Sequence, residues 1–203
     1  MSEQQNTATN YTEGYFNGIL DIYFALMTTD DSAASRPTYG AYQVMGKTID
    51  AQIVPNYKEG KVYASNVATR SEKRVDTYTV TLNLDKIPYA VREVLLGRHK
   101  DSNGVQIIKG GQHAPNVAIA FALTLDDGSK ELWTMYKGKF AEPTQNGHTD
   151  SDTMTYQHPT IEATFVRREY DDALAAVVAT SDTSVAASVM TDWFEQVYES
   201  PAA

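Results

Sequence analysis

Cysteine is missing from all 203 residues. Without a thiol there is no disulfide framework, no thiolate nucleophile and no thiolate metal site. Such a composition fits assembly inside a cell. Histidine is scarce: His99, His113, His148 and His158 sit in four separate turn or loop contexts, none with HExxH spacing. Basic residues are outnumbered, 17 Lys+Arg against 26 Asp+Glu, for a net charge of −9. Nucleic-acid binding depends on basic side chains neutralising phosphates, so this balance argues against an ordinary nucleic-acid binder. Long apolar runs are lacking too, and the opening MSEQQNTATNYTE is polar. Neither a membrane-spanning helix nor a secretory signal is expected.

Motifs of catalysis are equally absent. There is no nucleophile elbow, no phosphate-cradling glycine loop and no dinucleotide fingerprint. His148-Thr149-Asp150-Ser151-Asp152 spaces its carboxylates like a calcium loop but lacks that loop's glycine and terminal glutamate. Asp30-Asp31, Asp126-Asp127 and Asp171-Asp172 fall in turn sequences, where aspartate is common for backbone reasons. No catalytic residue, metal site or cofactor is expected.

What the chain does contain is alternation. From Pro115 to Phe140, Val117, Ile119, Phe121, Leu123 and Leu125 alternate with Ala118, Ala120, Ala122 and Thr124. Asp126-Asp127-Gly128-Ser129 supplies a tight reversal, and a second alternating run returns. Period two places Leu132, Thr134, Tyr136, Gly138 and Phe140 on one side, with Glu131, Trp133, Met135, Lys137 and Lys139 on the other. Both sides carry apolar groups, so one face is expected on the core and the other against a neighbour. The lysine stems would then lie over the apolar surface of Trp133 and Met135.

Length allows one domain with a substantial core. Residues 1–17 read as a flexible arm and 18–203 as a single domain. Ile19–Met27 is apolar enough for a strand, followed by loop composition through Gly40. A strand is expected from Lys47 to Val54, ended by Pro55, with a short one around Lys61–Ala64. Its Ile49, Ala51 and Ile53 share one face; Thr48, Asp50 and Gln52 share the other. In Thr77–Asp85, Tyr78, Val80, Leu82 and Leu84 face inward while Thr77, Thr79, Thr81, Asn83 and Asp85 face water. IPYAVREVLLG predicts a helix started by Pro88 and stopped by Gly97, with Val91, Val94 and Leu95 as its buried stripe. Asn103-Gly104 predicts a turn. Residues 141–157 form a long polar loop, a candidate contact segment. Thr160–Arg168 predicts a strand with Ile161, Ala163 and Phe165 inward and Glu162 and Thr164 outward. Val189, Trp193 and Val197 predict a terminal helix over about 184–199.

Laid out this way, the sequence resembles the major tail protein, or tail tube protein, of siphophages infecting Gram-positive bacteria. The likeness rests on LMTTD and a later TYG, on VYASN, on IPYAVREVLLG followed by DSNGV, on PNVAIAF, DGSKELWTMYKGKFAEP and HPTIEATF, and on a closing WFEQVY. It runs from about Gly18 onward. Ser65 stands where the family often has aspartate, which weakens any acidic role there. The resemblance implies a mainly β subunit, a tail-tube-type sandwich or barrel with a flanking helix. It implies hexameric rings that stack into a tube, the conduit for genome ejection. Tape measure, distal tail and tail terminator proteins would be partners, and duplex DNA would pass without binding. The place would be the virion tail, assembled in the host cytoplasm, with no membrane binding by the subunit.

Adding the wet faces to that expectation gives a candidate lumen: Thr48, Asp50, Gln52, Thr77, Thr79, Thr81, Asn83, Glu162 and Thr164. A polar and acidic wall would not hold phosphates, with repulsion reaching only about 8 Å at physiological salt. Candidate subunit contacts are Trp133, Met135, Lys137 and Lys139 on the hairpin, and Gln145, Asn146, His148 and Asp150 in the long loop. The arm Met1–Glu13 and that loop are expected to make ring-to-ring contacts. Two other readings stand beside this one: a carbohydrate- or protein-binding β-sandwich module, and the tube protein of a contractile injection particle.

Overall fold

A computed structural model describes residues 14–64, 67–145, 147 and 156–201. The described chain is mainly β, with two short helices. It opens with β1 (Phe16–Ile19) and β2 (Ile22–Thr29), which divide the single strand expected from the apolar run between them. Within the loop expected next lies the two-residue β3 (Thr38–Tyr39), and β4 (Gln43–Gly46) comes after it; both pair with β2.

Next come the two longest strands, β5 (Thr48–Ala64) and β6 (Val67–Leu84), paired antiparallel along their length. Pro55 does not end β5, contrary to expectation. It pairs with Tyr78 in mid-strand. Proline has no N–H for a ladder, but among the described residues β5 pairs with β6 alone, and an edge strand tolerates the loss on its free side. The expected helix is present as α1 (Tyr89–Leu95), with Pro88 at the N-cap. Gly97 follows at φ +61°, a left-handed value that closes the helix at little cost only for glycine. Leu95 is buried, and Val91 and Val94 pack against the main core as the stripe predicts. A small hairpin of β7 (His99–Lys100) and β8 (Gln106–Ile107) turns at Gly104.

The hairpin legible in the sequence is β9 (Val117–Leu125) and β10 (Lys130–Phe140), with Gly128 at φ +84° in the turn. Then follow β11 (Thr160–Val166), β12 (Ala175–Ala179) and α2 (Ala187–Asp192). The main sheet runs β3-β2-β9-β10-β11-β6-β5. β9 takes β2 along its first half and β1 along its second; β10 takes β12 and then β11 on its other side. β5 comes back against β1, so the sheet curls toward a barrel.

Alternation on β9 explains the layers. Val117, Ile119 and Phe121 enter the main core with Phe24, Leu82, Met135 and Phe165. Ala118, Ala120 and Ala122 face the opposite way, under the C-terminal segment. Their small side chains leave room for Trp193, which is 2% exposed and donates its indole N–H to the Trp133 carbonyl at 3.3 Å. The terminal helix is shorter than the spacing implied, since only Ala187–Asp192 is helical. Trp193 and Val197 are buried nonetheless.

A bulge between Met135 and Gly138 changes the facing along β10. Trp133 and Met135 join the main core and, past the bulge, so does Phe140. Lys137 and Lys139 therefore lie on the opposite side from Trp133 and Met135, and their stems do not cover them. Gly138 makes room for the fully buried Phe165 ring, since a Cβ there would lie 2.4 Å from two of its carbons. Gly138→Ala is expected to overpack the core at a cost of about 1–3 kcal/mol. At about 2–4 °C per kcal/mol for a chain of this size, the melting temperature should drop by several degrees. An unchanged melt would show that the ring can step aside.

Candidate functional site

Three strands, β11, β6 and β5, lie side by side with their outer face uncovered by any other described element. Register sets the rows across it. Asp50, Asn83 and Thr160 are neighbours, then Gln52, Thr81 and Glu162, then Val54, Thr79 and Thr164, and then Asn56, Thr77 and Val166. Lys139 continues the Thr164 row and Lys137 the Val166 row. Eight of the nine residues expected on a wet face are thus brought together on one surface: Asp50, Gln52, Thr77, Thr79, Thr81, Asn83, Glu162 and Thr164.

Thr48 is the exception. A bulge between Thr48 and Asp50 inserts a residue, so Thr48 pairs with the core residue Leu84 and its hydroxyl is buried. Ile49, expected inward, is 49% exposed instead. The strict alternation written across this stretch fails at that point.

The surface is tied together by its own hydrogen bonds. The Asn83 amide donates to the Asp50 carboxylate at 2.8 Å, and the Thr160 hydroxyl donates to the Asn83 carbonyl oxygen. Asn56 donates to the hydroxyls of Thr77 and Thr79 at 3.1 and 2.9 Å. The face is mostly polar, with Val54 and Val166 as its exposed apolar members. Asp50 and Glu162 are its acids, and Lys139 at the border is exposed.

Of the expected subunit contacts, Met135 is fully buried in this chain's own core and Trp133 is stacked on Phe121 with ring centroids 5.9 Å apart. Met135 is thus committed to the core, and Trp133 is half-buried. Lys137 is engaged internally. Its ammonium meets Asp31 and lies 3.1 Å from Asp30, and the Glu169 N–H donates to Asp31. Lys139 and Gln145 are exposed. Asn146, His148 and Asp150 lie outside the described residues, as does the Met1–Glu13 arm. The two segments expected to join rings leave the body at opposite ends. Tyr15 accepts from the Asp126 N–H beside the β9–β10 turn, whereas Ala141 follows the far end of β10.

The Asp31–Lys137 tie sets a pH dependence. Burial pushes the Asp31 carboxyl up, but the Lys137 ammonium and the Glu169 N–H outweigh it, and the net shift is downward. Asp171 is likewise held low against burial by Arg168. A carboxyl lowered in the folded state gives stability that is complete above its unfolded pKa of about 4 and is lost as pH falls through the folded value. Lys137 is shifted up, burial being outweighed by its carboxylate partners, so its share persists until alkaline pH. Thermal melts should therefore weaken on acidification below about pH 4. Asp31→Asn should be less stable at neutral pH and show a shallower acid slope. An acid slope identical to that of the unsubstituted chain would remove Asp31 from the account.

Comparison with protein families settles the class. A family model described as phage tail tube protein matches residues 48–202. The chain belongs to the phage tail tube protein family. Membership gives it a structural role in a phage tail, as a component of the virion. A sequence comparison with curated proteins finds no match. Among solved structures, the tube-terminating cap of the anti-feeding prophage is similar at 12% identity, with 87% of this chain and 100% of that chain covered and a TM-score of 0.40. The sheath–tube complex of the extracellular contractile injection system PVC, in its extended state, is similar at 13% identity, covering 89% and 100%, with a TM-score of 0.34. Both likenesses are too distant to say anything of partners.

Proposed function

We propose that identical copies of this tail tube protein close into hexameric rings through free strand borders, and that rings stack into the tube of a siphophage tail through which the genome is ejected into a Gram-positive host. The observation that carries the reading is the set of open strand borders. β3 and β5 end the sheet path, and among the described residues neither has a second pairing partner. Open borders are a hazard for a lone subunit and become joints when copies pair in a closed ring.

In this reading the polar surface of β5, β6 and β11 lines the lumen. Asp50 and Glu162 repel phosphates, and the mutually bonded Thr77, Thr79, Asn83 and Asn56 leave little to bind a base or backbone. Duplex DNA then passes without stopping. Gln145, Asn146, His148 and Asp150 would contribute to contacts between copies, with tape measure, distal tail and terminator proteins at the tube's centre and ends. Assembly would take place in the host cytoplasm. A carbohydrate-binding module is less favoured because, of the exposed aromatics among the described residues, Tyr57, Tyr89, Tyr156 and Tyr170 are scattered along the chain and only Tyr15 and Phe16 are adjacent.

Negative-stain microscopy of the concentrated protein is the test. Tubes or six-fold rings are the expected result. A strictly monomeric protein at high concentration overturns the reading, and a tube map with the Thr77–Asn83 side chains on its outside overturns the lumen assignment alone.

A further inference from the structure

Four stretches of chain converge on a polar cavity that neither the lumen face nor the sheet borders use. They are Asp85-Lys86-Ile87 between β6 and α1, Arg92 on α1, Gln145 beyond β10, and Gln157-His158-Pro159 leading into β11. Hydrogen bonds between the stretches fix the walls. Leu84 donates its N–H to the Pro159 carbonyl at 3.2 Å, and His158 Nδ1 lies 3.4 Å from the Asp85 carbonyl. The Thr144 N–H donates to the Thr160 carbonyl at 2.8 Å, which brings Gln145 alongside. The volume is about 190 Å³. That exceeds the roughly 150 Å³ that holds a benzene ring, so a small hydrated ion fits.

Arg92 decides the sign of that ion. It is half-buried, its Nε is shut away from water with no hydrogen-bond partner, and among the described residues no carboxylate pairs with it. Acids on the neighbouring elements are committed elsewhere, Glu93 to Lys100 and Glu142 to Arg98. Asp85 is the one carboxylate among the described lining residues. Its Oδ1 accepts the backbone N–H groups of Lys47 and Lys86 at 3.2 and 2.7 Å. Lys86 is exposed, and its ammonium likewise has no ionic partner among the described residues. Two cationic side chains therefore stand against one carboxylate that backbone donors already hold. Gln145 and Gln157 add side-chain amides to the lining.

A charged donor closed off from water and left unpaired is costly, and in native structures water or an ion usually satisfies it. A guanidinium presents parallel N–H groups that match the edge of a phosphate or carboxylate, which an ammonium does not. In a chain carrying −9 overall, an unpaired, half-buried arginine facing a polar cavity is a specific feature rather than an excess of surface charge.

We infer that this cavity is a binding site for a small oxyanion, of the phosphate or carboxylate class. Arg92 makes the principal contact, with Lys86 and the amides of Gln145 and Gln157 completing the shell. The bound ion joins α1 to the chain leaving β10 and the chain entering β11, beside the Asp50–Asn83–Thr160 row. The site belongs to the single subunit, so it goes beyond the tube reading and does not depend on assembly.

Inorganic phosphate titrated into the dilute full-length protein at neutral pH, with sodium chloride adjusted to hold ionic strength constant, is the test. Saturable binding in the millimolar range is expected. The His158 ring resonances should move with it, while those of His99 and His113, which lie outside the cavity, stay in place. Arg92→Gln should weaken binding at least ten-fold, and Arg92→Lys, which keeps the charge and loses the fork, by a smaller factor. Acetate that moves the His158 resonances where phosphate does not, and loses that effect in Arg92→Gln, would assign the site to carboxylates. His158 resonances that ignore both anions, or an Arg92→Gln protein that binds as well as the unsubstituted one, overturn the site and leave the tube function standing. Should Arg92→Gln fail to fold, the His158 shifts of the unsubstituted chain still decide.

Discussion

Arg168→Ala is expected to cost about 3–5 kcal/mol of folding stability, the penalty typical of breaking a buried ionic cluster. Arg168 is 2% exposed at the end of β11. Its guanidinium forks onto Asp171, with Nε 3.0 Å from Oδ1, and bonds Glu199 at 2.6 Å. The group also lies 3.9 Å from the Tyr136 ring centroid. Burial pulls its pKa down, but the two carboxylates outweigh that and hold the charge in place. Deleting the side chain leaves Asp171 without its ion-pair partner, leaves Glu199 with only Arg36 at 3.9 Å, and opens a void against Tyr136. It also weakens the hold on Glu199, leaving Arg36, which bonds the Ser200 carbonyl at 3.2 Å, to keep the C-terminal segment and the cover that Trp193 and Val197 place over the alanine face. At about 2–4 °C per kcal/mol, the melting temperature should fall by roughly 10 °C. Arg168→Lys should recover only part of this, because an ammonium cannot fork onto Asp171 while reaching Glu199. A melt of the alanine variant within a degree or two of the unsubstituted chain would mean the cluster is ornamental.

None of that cluster was legible in the sequence, since Tyr136, Arg168 and Glu199 are brought together only by the sheet and the returning C-terminus. Other parts were legible for definite reasons. β9–β10, β11 and α1 each combine a clean period with a residue that only fits the boundary, such as Gly128 or Gly97 at positive φ. Threonine alternation on β6 found the polar surface because that strand has one dry face and one wet face throughout its last eight residues. The failures share a cause. Period counting assumes one residue per step, and bulges at Thr48 and after Met135 each insert one, moving Thr48 inward and separating Lys137 from Met135. Pro55 misled because a strand's tolerance of proline depends on whether it is an edge, which only the assembled sheet decides. β12 carries no alternation to find, because Ala175 packs on one core and Ala176 and Val178 on another.

Shortening the β5–β6 arm should separate assembly from folding completely. β11 accompanies β6 only as far as Thr77, so from Tyr57 and Val75 outward the two strands pair with each other alone. That stretch runs to Ala64 and Val67, about 25 Å of two-stranded ribbon at 3.2–3.4 Å per residue. Its described outer residues, Lys58, Glu59, Gly60, Glu72, Lys73 and Arg74, are exposed. What holds the described part together is modest: Lys73 lies 4.5 Å from the Tyr57 ring centroid and 3.1 Å from Glu59. Exposed pairs of this kind contribute little, and a lone hairpin in water is marginal. Replacing residues 59–73 by Asn-Gly would close the strands with a two-residue turn beyond Lys58 and Arg74. None of the described side chains removed lies in the core, so the melting temperature should stay within a few degrees. The same ribbon offers two unpaired borders for a neighbouring copy, and its removal should abolish tubes while leaving a folded monomer. Normal tubes from the shortened chain would dismiss the arm from assembly. A chain that no longer folds would show instead that the ribbon supports the body, against the register that places it outside.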